Sequence, residues 1–198
     1  KVGNVILKRS AADNYRETRG KPKYLGDDGP GRWRPTPPDY MDGVEYLWGT
    51  IEPLALTSPS EFAPPAPFPY SIDKNSDCFK QNMEVYQTNK NLTKEQTDIA
   101  HFWDDNPFVI EHSGHMMFAD KKLSPAGHWM SIAKIASKQT HANAVKTARA
   151  YALTSIALFD SFITSWEVKY QYSTLRPVTY IEDNIDHNWL PLLQTQTF

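Results

Sequence analysis

ANAVKTARAYALTSIALFDSFITSWEVKY, residues 142–170, contains no proline and no glycine. Val145, Ala148, Ala152, Ile156, Phe159, Ile163 and Trp166 recur along it at helical spacing, which predicts one long amphipathic helix with its apolar stripe towards a core. Thr154, Ser155, Asp160, Ser161, Thr164 and Ser165 interrupt the apolar run, which therefore falls short of the roughly 18 to 20 apolar residues that cross a bilayer. The chain is read as soluble, with no membrane span. Asp160, set inside the apolar segment, is expected to be hydrogen-bonded within the bundle as a structural residue.

Upstream of that helix the same periodicity recurs. Ser124-Pro125 has the form of a cap followed by a first-turn proline, opening a helix through Trp129, Ile132, Ile135 and Ala136. Thr93 and Gln96 have capping-box spacing ahead of Ile99, Phe102 and Trp103, while Phe79, Met83 and Tyr86 mark a further helix. Residues 2–15 read as the tail of another helix. Strand signals are scarce, the best being residues 178–181, so the class is all-α, a helical bundle without internal repeats. Eleven of the 15 prolines fall between Pro22 and Pro69, which divides the chain into an extended arm, residues 20–73, and a helical body, residues 74–198. Trp33, Tyr40, Tyr46, Trp48, Phe62, Phe68 and Tyr70 give the arm large apolar surfaces and predict that it packs onto the helices.

The 198 residues suffice for one domain or a large piece of one. With 21 basic and 23 acidic side chains and a net charge of −2, no general basic field is available for nucleic acid. Cys78 is the only cysteine, which excludes an intrachain disulfide and any zinc site of several thiolates.

Chemistry concentrates where the long helix ends. Lys169 lies three residues after Trp166, so its ammonium is directed towards the core side. Arg176 precedes Pro177, which disfavours helix at Arg176 and predicts a turn there. Two long cations would then converge, a point charge beside a planar fork, and a tetrahedral oxyanion suits that pair. Spacing alone also admits a structural alternative, with Lys169 lying along Trp166 and Arg176 paired with Glu182 or Asp183. His112 and His115, near Glu111, have metal-ligand spacing and define a metal-hydrolase alternative, although Gly114 argues for a loop. Asn91-Leu-Thr93 fits a glycosylation acceptor, but helix capping explains the same threonine.

Lys169, six residues, then Arg176-Pro177 resembles the first of three motifs of the superfamily that joins vanadium-dependent haloperoxidases, type 2 phosphatidic acid phosphatases and bacterial class A acid phosphatases. Gly31-Arg-Trp-Arg-Pro-Thr-Pro-Pro38, Phe102-Trp-Asp-Asp-Asn-Pro107, Gly127-His-Trp129 and Phe159-Asp-Ser-Phe-Ile-Thr-Ser-Trp166 are similar to the soluble haloperoxidase-type branch, in this order. The resemblance implies a helical-bundle enzyme in which Lys169 and Arg176 hold the oxygens of vanadate or of a transferring phosphoryl group, with Trp166 lining the pocket. It places an acid near Asp104 or Asp105, oriented towards an arginine of the third motif, and His128 is a further pocket-lining candidate. Its cofactor is vanadate in the haloperoxidase version, which oxidises halide with peroxide. In the phosphatase version there is none, and the substrate is a phosphoester.

Two further motifs complete the family pattern, Pro-Ser-Gly-His and Ser-Arg with a spaced histidine, and neither occurs here. Ser113-Gly-His115 imitates one but precedes Lys169, against the family order, so the histidine that ligates vanadate is absent. The chain reads as the amino-terminal part of a single such domain, its partner being the remaining carboxy-terminal part. Two charge-assisted groups contribute about 1.5 to 3 kcal/mol each. That barely meets the cost of association, about 4 kcal/mol at the low end, so residues 1–198 alone are expected to turn nothing over. Soluble members are mostly exported bacterial proteins, which implies a periplasmic or cell-envelope location. The alternative of a different class is a noncatalytic helical scaffold or binding module in which Lys169 and Arg176 are structural.

Overall fold

A computed structural model describes residues 1–37, 40–106, 108–113, 116–121 and 123–195, the segments 108–113 and 116–121 by their backbone. Its regular elements run α1 (Val2–Ser10), α2 (Tyr15–Thr18), a 3-10 turn (Trp48–Thr50), α3 (Asp77–Lys90), α4 (Lys94–Phe102), β1 (Phe108–Ser113), β2 (Met116–Lys121), α5 (Pro125–Gln139), α6 (Ala144–Tyr172) and α7 (Pro177–Asn184). The fold is helical, and the helix starts follow their local chemistry. Ser76 accepts from Phe79 N to open α3, and Thr93 with Gln96 forms the full capping box of α4. Ser124 accepts from Gly127 N with Pro125 in the first turn of α5. Asn143 Oδ1 accepts from Lys146 N at 2.9 Å at the start of α6, and Ser173, at φ 45°, ends that helix in the left-handed region.

Three expectations need correction. Residues 178–181 belong to α7 rather than to a strand, since Pro177 takes the first helical position and a short segment buried at all four positions is as compatible with a buried helix as with a buried strand. The second concerns β1 and β2, which pair as an antiparallel hairpin from Phe108↔Lys121 to Ser113↔Met116, so His112 sits in a strand and not in a loop. His115 lies outside the described residues, and with it the metal-hydrolase alternative. The stripe of α6, lastly, is only partly covered, with Val145 78% exposed while Ile163 is 2% exposed.

The chain divides into two units, each assembled from separated segments. The first comprises Lys1–Lys23, Glu45–Pro64 and Lys122–Gln171, with Ile51 and Ile163 at its centre. Here the arm is fastened by Asp160 of α6, which is 5% exposed and accepts from the backbone N–H groups of Leu54 (2.6 Å), Ala55 (2.8 Å) and Leu56 (3.1 Å). The expected structural role of that carboxylate is thus visible. Arg9 adds a bond to Pro53 O and an ion pair with Glu52 at 3.5 Å.

The second unit comprises Tyr24–Val44, Pro65–Lys121 and Tyr172–Phe198, and α7 packs against α3 in it. Val178, Ile181 and Trp189 form its core, joined by Tyr86 and Ile185. Trp33, 1% exposed, stacks on Tyr24 at 5.7 Å. Among the described residues of 20–73 there is no α-helix, and their aromatics pack unevenly: Trp33 is buried, whereas Phe62, Phe68 and Tyr40 stay exposed. Among the described residues no helix is long and apolar enough to cross a membrane.

Tyr180 links burial to pH. It is 2% exposed, donates to Ser71 O at 2.6 Å and meets Tyr70 edge-on. Burial, reinforced by the neighbouring Cys78 and Tyr70, pushes its phenol up to about 12 from 10.0. The neutral phenol's contribution is therefore fully present below pH 10 and is lost as pH rises through 12, because the unfolded chain ionises first. Urea titrations across this window are expected to show about 2 kcal/mol of alkaline loss in the wild type that Tyr180→Phe lacks. Equal alkaline limbs would exclude this assignment.

Candidate functional site

The Trp166 and Lys169 side chains sit on consecutive turns of α6, and they meet. Lys169 Nζ lies over the Trp166 ring, 3.9 Å from its centroid, within cation–π range. Behind the indole stand Phe162, one turn earlier on α6, at 5.4 Å, and Trp48 of the 3-10 turn at 5.3 Å. Trp48 also meets Phe162 edge-on at 6.3 Å, so the three rings touch pairwise. A fourth contact, Tyr46 edge-on to Tyr170 at 6.1 Å, holds the same arm segment against the same end of α6. Gly49 permits this approach, since a Cβ there would fall 1.8 Å from Glu167 Oε2 and 3.0 Å from Glu167 Cβ. Lys169 is half-buried, as its place on the core side predicts, and it lies beside Trp166 as the structural alternative also required.

Arg176 is the N-cap of α7, extended at φ −70°, ψ 146°, so the turn expected from Pro177 is present. The Gly31-Arg-Trp segment secures the backbone leading into it. Arg32 bridges Thr174 in antiparallel fashion, Leu175 N donates to Gly31 O at 2.9 Å, and Trp33 N donates to Ser173 O at 2.7 Å. Arg32 Nη1 donates to Tyr172 O at 2.9 Å, and Tyr24 and Ser173 join their hydroxyls at 2.8 Å. Asp183, one of the two acids considered as a partner for Arg176, receives Arg34 at 2.6 Å.

The remaining candidates take varied places. Asp104 and Asp105 follow the end of α4 and are half-buried, and Asp104 Oδ1 accepts from Asn106 N at 3.4 Å. They lie in the second unit with Arg176, whereas Trp166, Lys169 and His128 belong to the first. His128 is buried in the first turn of α5, while its neighbour Trp129 is 48% exposed. Among the described residues no group of three or more His, Cys, Asp or Glu is placed to hold a metal ion directly. Trp48 was legible only as one aromatic of the arm. The signal that singles it out is the following Gly49, a small residue where the arm must come close to a helix.

Residues 149–192, which include Trp166, Lys169 and Arg176-Pro177, match a family described as the VCPO second helical-bundle domain. Among solved structures, a bacterial vanadium-dependent iodoperoxidase is similar to this chain at 42% sequence identity with a TM-score of 0.84. The match covers 93% of this chain and 44% of the iodoperoxidase, so the chain spans less than half the length of that relative. Comparison with curated proteins finds no match.

Proposed function

We propose, for a chain similar in sequence and helical fold to a vanadium-dependent iodoperoxidase, that the complete protein oxidises halide with hydrogen peroxide, and that Lys169 and Arg176 hold its oxyanion cofactor. The observation that supports this reading is the 42% identity to an iodoperoxidase over 93% of the chain, joined by a family match that runs through both cations. The donor set fits vanadate through its oxygens. Lys169 offers a point charge with three donors, and the Arg176 guanidinium offers paired donors in one plane. Bound vanadate would supply Lewis-acid activation of peroxide.

This chain's own share in the chemistry is electrostatic. Lys169, half-buried on the face of Trp166, presents its charge in surroundings drier than bulk water, where attraction to an anion is less screened. Arg176, extended at the head of α7, contributes a second charge from a backbone already fixed by Gly31 and Trp33. Asp104 or Asp105 is proposed to orient an arginine supplied by the remaining part of the protein. The exposed apolar residues Val145 and Leu153 of α6 are proposed to pack against that same part, and residues 1–198 alone to give no turnover.

Vanadate-loaded complete protein assayed with iodide or bromide and peroxide tests the reading. Lys169→Ala is expected to weaken vanadate retention in equilibrium dialysis about tenfold to a hundredfold, the equivalent of one charge-assisted bond. Halide oxidation should fall in parallel and return when vanadate is raised. Hydrolysis of a phosphomonoester without halide oxidation would replace this reading with the phosphatase one.

A further inference from the structure

Lys169 ends a long, flexible side chain, and an ammonium that must meet an anion at a fixed place loses affinity for every rotamer that misses it. The face of Trp166 restricts those rotamers, because Nζ rests 3.9 Å from the ring centroid. That restriction is only as good as the indole's own position. Among the described contacts of Trp166, Phe162 supports it from one turn earlier on α6, and the arm supports it through Trp48. We propose that Trp48 is a positioning residue for Lys169, holding the Trp166 indole so that the ammonium is presented in one place to the oxyanion. The inference rests on the oxyanion reading above for its functional part, and on geometry alone for its structural part.

Two further features agree with this role. The Trp48 Nε1–H is enclosed and has no hydrogen-bond partner among the described residues, so ring contact rather than a polar bond is what Trp48 contributes here. Its turn is itself fastened: Thr50 N donates to Leu47 O at 2.9 Å, and Asn14 Nδ2 reaches Thr50 Oγ1 at 2.8 Å. Trp48 is therefore presented by a short closed turn anchored to Asn14 through Thr50, and Gly49 keeps that turn close to α6.

The complete protein with 13C-labelled lysine provides the test. Protons held over an indole face are displaced upfield by its ring current, and the Lys169 ε-methylene signal is identified by its loss in Lys169→Arg. Trp48→Ala is expected to move this signal towards that of an exposed lysine and to raise the vanadate dissociation constant, measured by equilibrium dialysis, about fivefold to twentyfold. Trp48→Phe, which retains an aromatic edge and removes the enclosed N–H, should restore most of both. Circular dichroism establishes that each variant is folded, and Trp48→Leu replaces the alanine variant if that one is not. An unchanged ε-methylene shift in a folded Trp48→Ala or Trp48→Leu protein overturns the positioning role. A moved shift with unchanged vanadate affinity also overturns it. Wild-type protein that retains no vanadate at all would sink the oxyanion reading and the functional part of this inference with it, while the shift still decides whether Trp48 places the ammonium.

Discussion

Asp160→Ala is expected to lower the unfolding free energy of the unit containing most of α6 by about 3 to 4 kcal/mol. Three backbone donors, Leu54, Ala55 and Leu56, end on this one carboxylate at 2.6, 2.8 and 3.1 Å. Bonds to a charged acceptor contribute about 1.5 to 3 kcal/mol each, but the three share two oxygens and do not add in full. Leu54 is 45% exposed, so water can reach part of the segment once the carboxylate is gone. Ala55 is likewise exposed and Leu56 half-buried, so the loss comes chiefly from three charge-assisted bonds, ending on a carboxylate that is itself buried, broken together. Asp160→Asn retains one acceptor oxygen but turns an amide N–H₂ towards donors, so it should recover less than half of the loss. Urea titration gives the free energy, and amide hydrogen exchange at residues 54–56 gives its location. Exchange there that stays slow in Asp160→Ala would show that the arm is held by other contacts.

That carboxylate was legible in the sequence because a lone charge inside an apolar helical run has few ways to exist except with donors around it. Local polar chemistry was legible in general: Thr93 with Gln96, and Ser124 with Pro125, start helices where their spacing places them. Such signals act within one turn and need no knowledge of the rest of the chain. Burial is different. Val145, Ile156 and Ile163 share one periodicity, yet Val145 is exposed and Ile163 is not, because periodicity specifies which face is apolar and not what lies against it. The helix at 177–184 is not legible for a related reason, since Val178, Thr179, Tyr180 and Ile181 are all buried and so short a segment has no phase that separates period 2 from period 3.6. At the candidate site, Trp166 and Lys169 are three apart on one helix, so their contact could be read from spacing. Trp48 reaches the same ring from more than a hundred residues away, and only the path of the arm shows it.

Gly31→Ala is expected to destabilise the unit that contains α7 by about 2 to 4 kcal/mol, by two separable costs. Gly31 has φ +73°, a left-handed conformation that charges an alanine about 1 kcal/mol. An added Cβ would also lie 2.3 Å from Tyr70 Cβ and 2.7 Å from its Cγ. The Tyr70 ring could swing aside, but its Cβ moves only with the backbone, so the overlap forces two chain segments apart and costs about 1 to 3 kcal/mol more. Gly20 isolates the first cost, having φ +71° with nothing within 4 Å of an added Cβ. Gly20→Ala should therefore lose only about 1 kcal/mol. Equal losses in the two variants would show that Tyr70 yields without resistance. The larger loss at Gly31 should also reach the candidate site, because Gly31 O receives Leu175 N immediately before Arg176. Displacing Gly31 loosens the backbone from which the guanidinium extends. Under the oxyanion reading proposed above, Gly31→Ala in the complete protein is accordingly expected to weaken vanadate retention at temperatures well below its own unfolding transition, whereas Gly20→Ala should leave it intact.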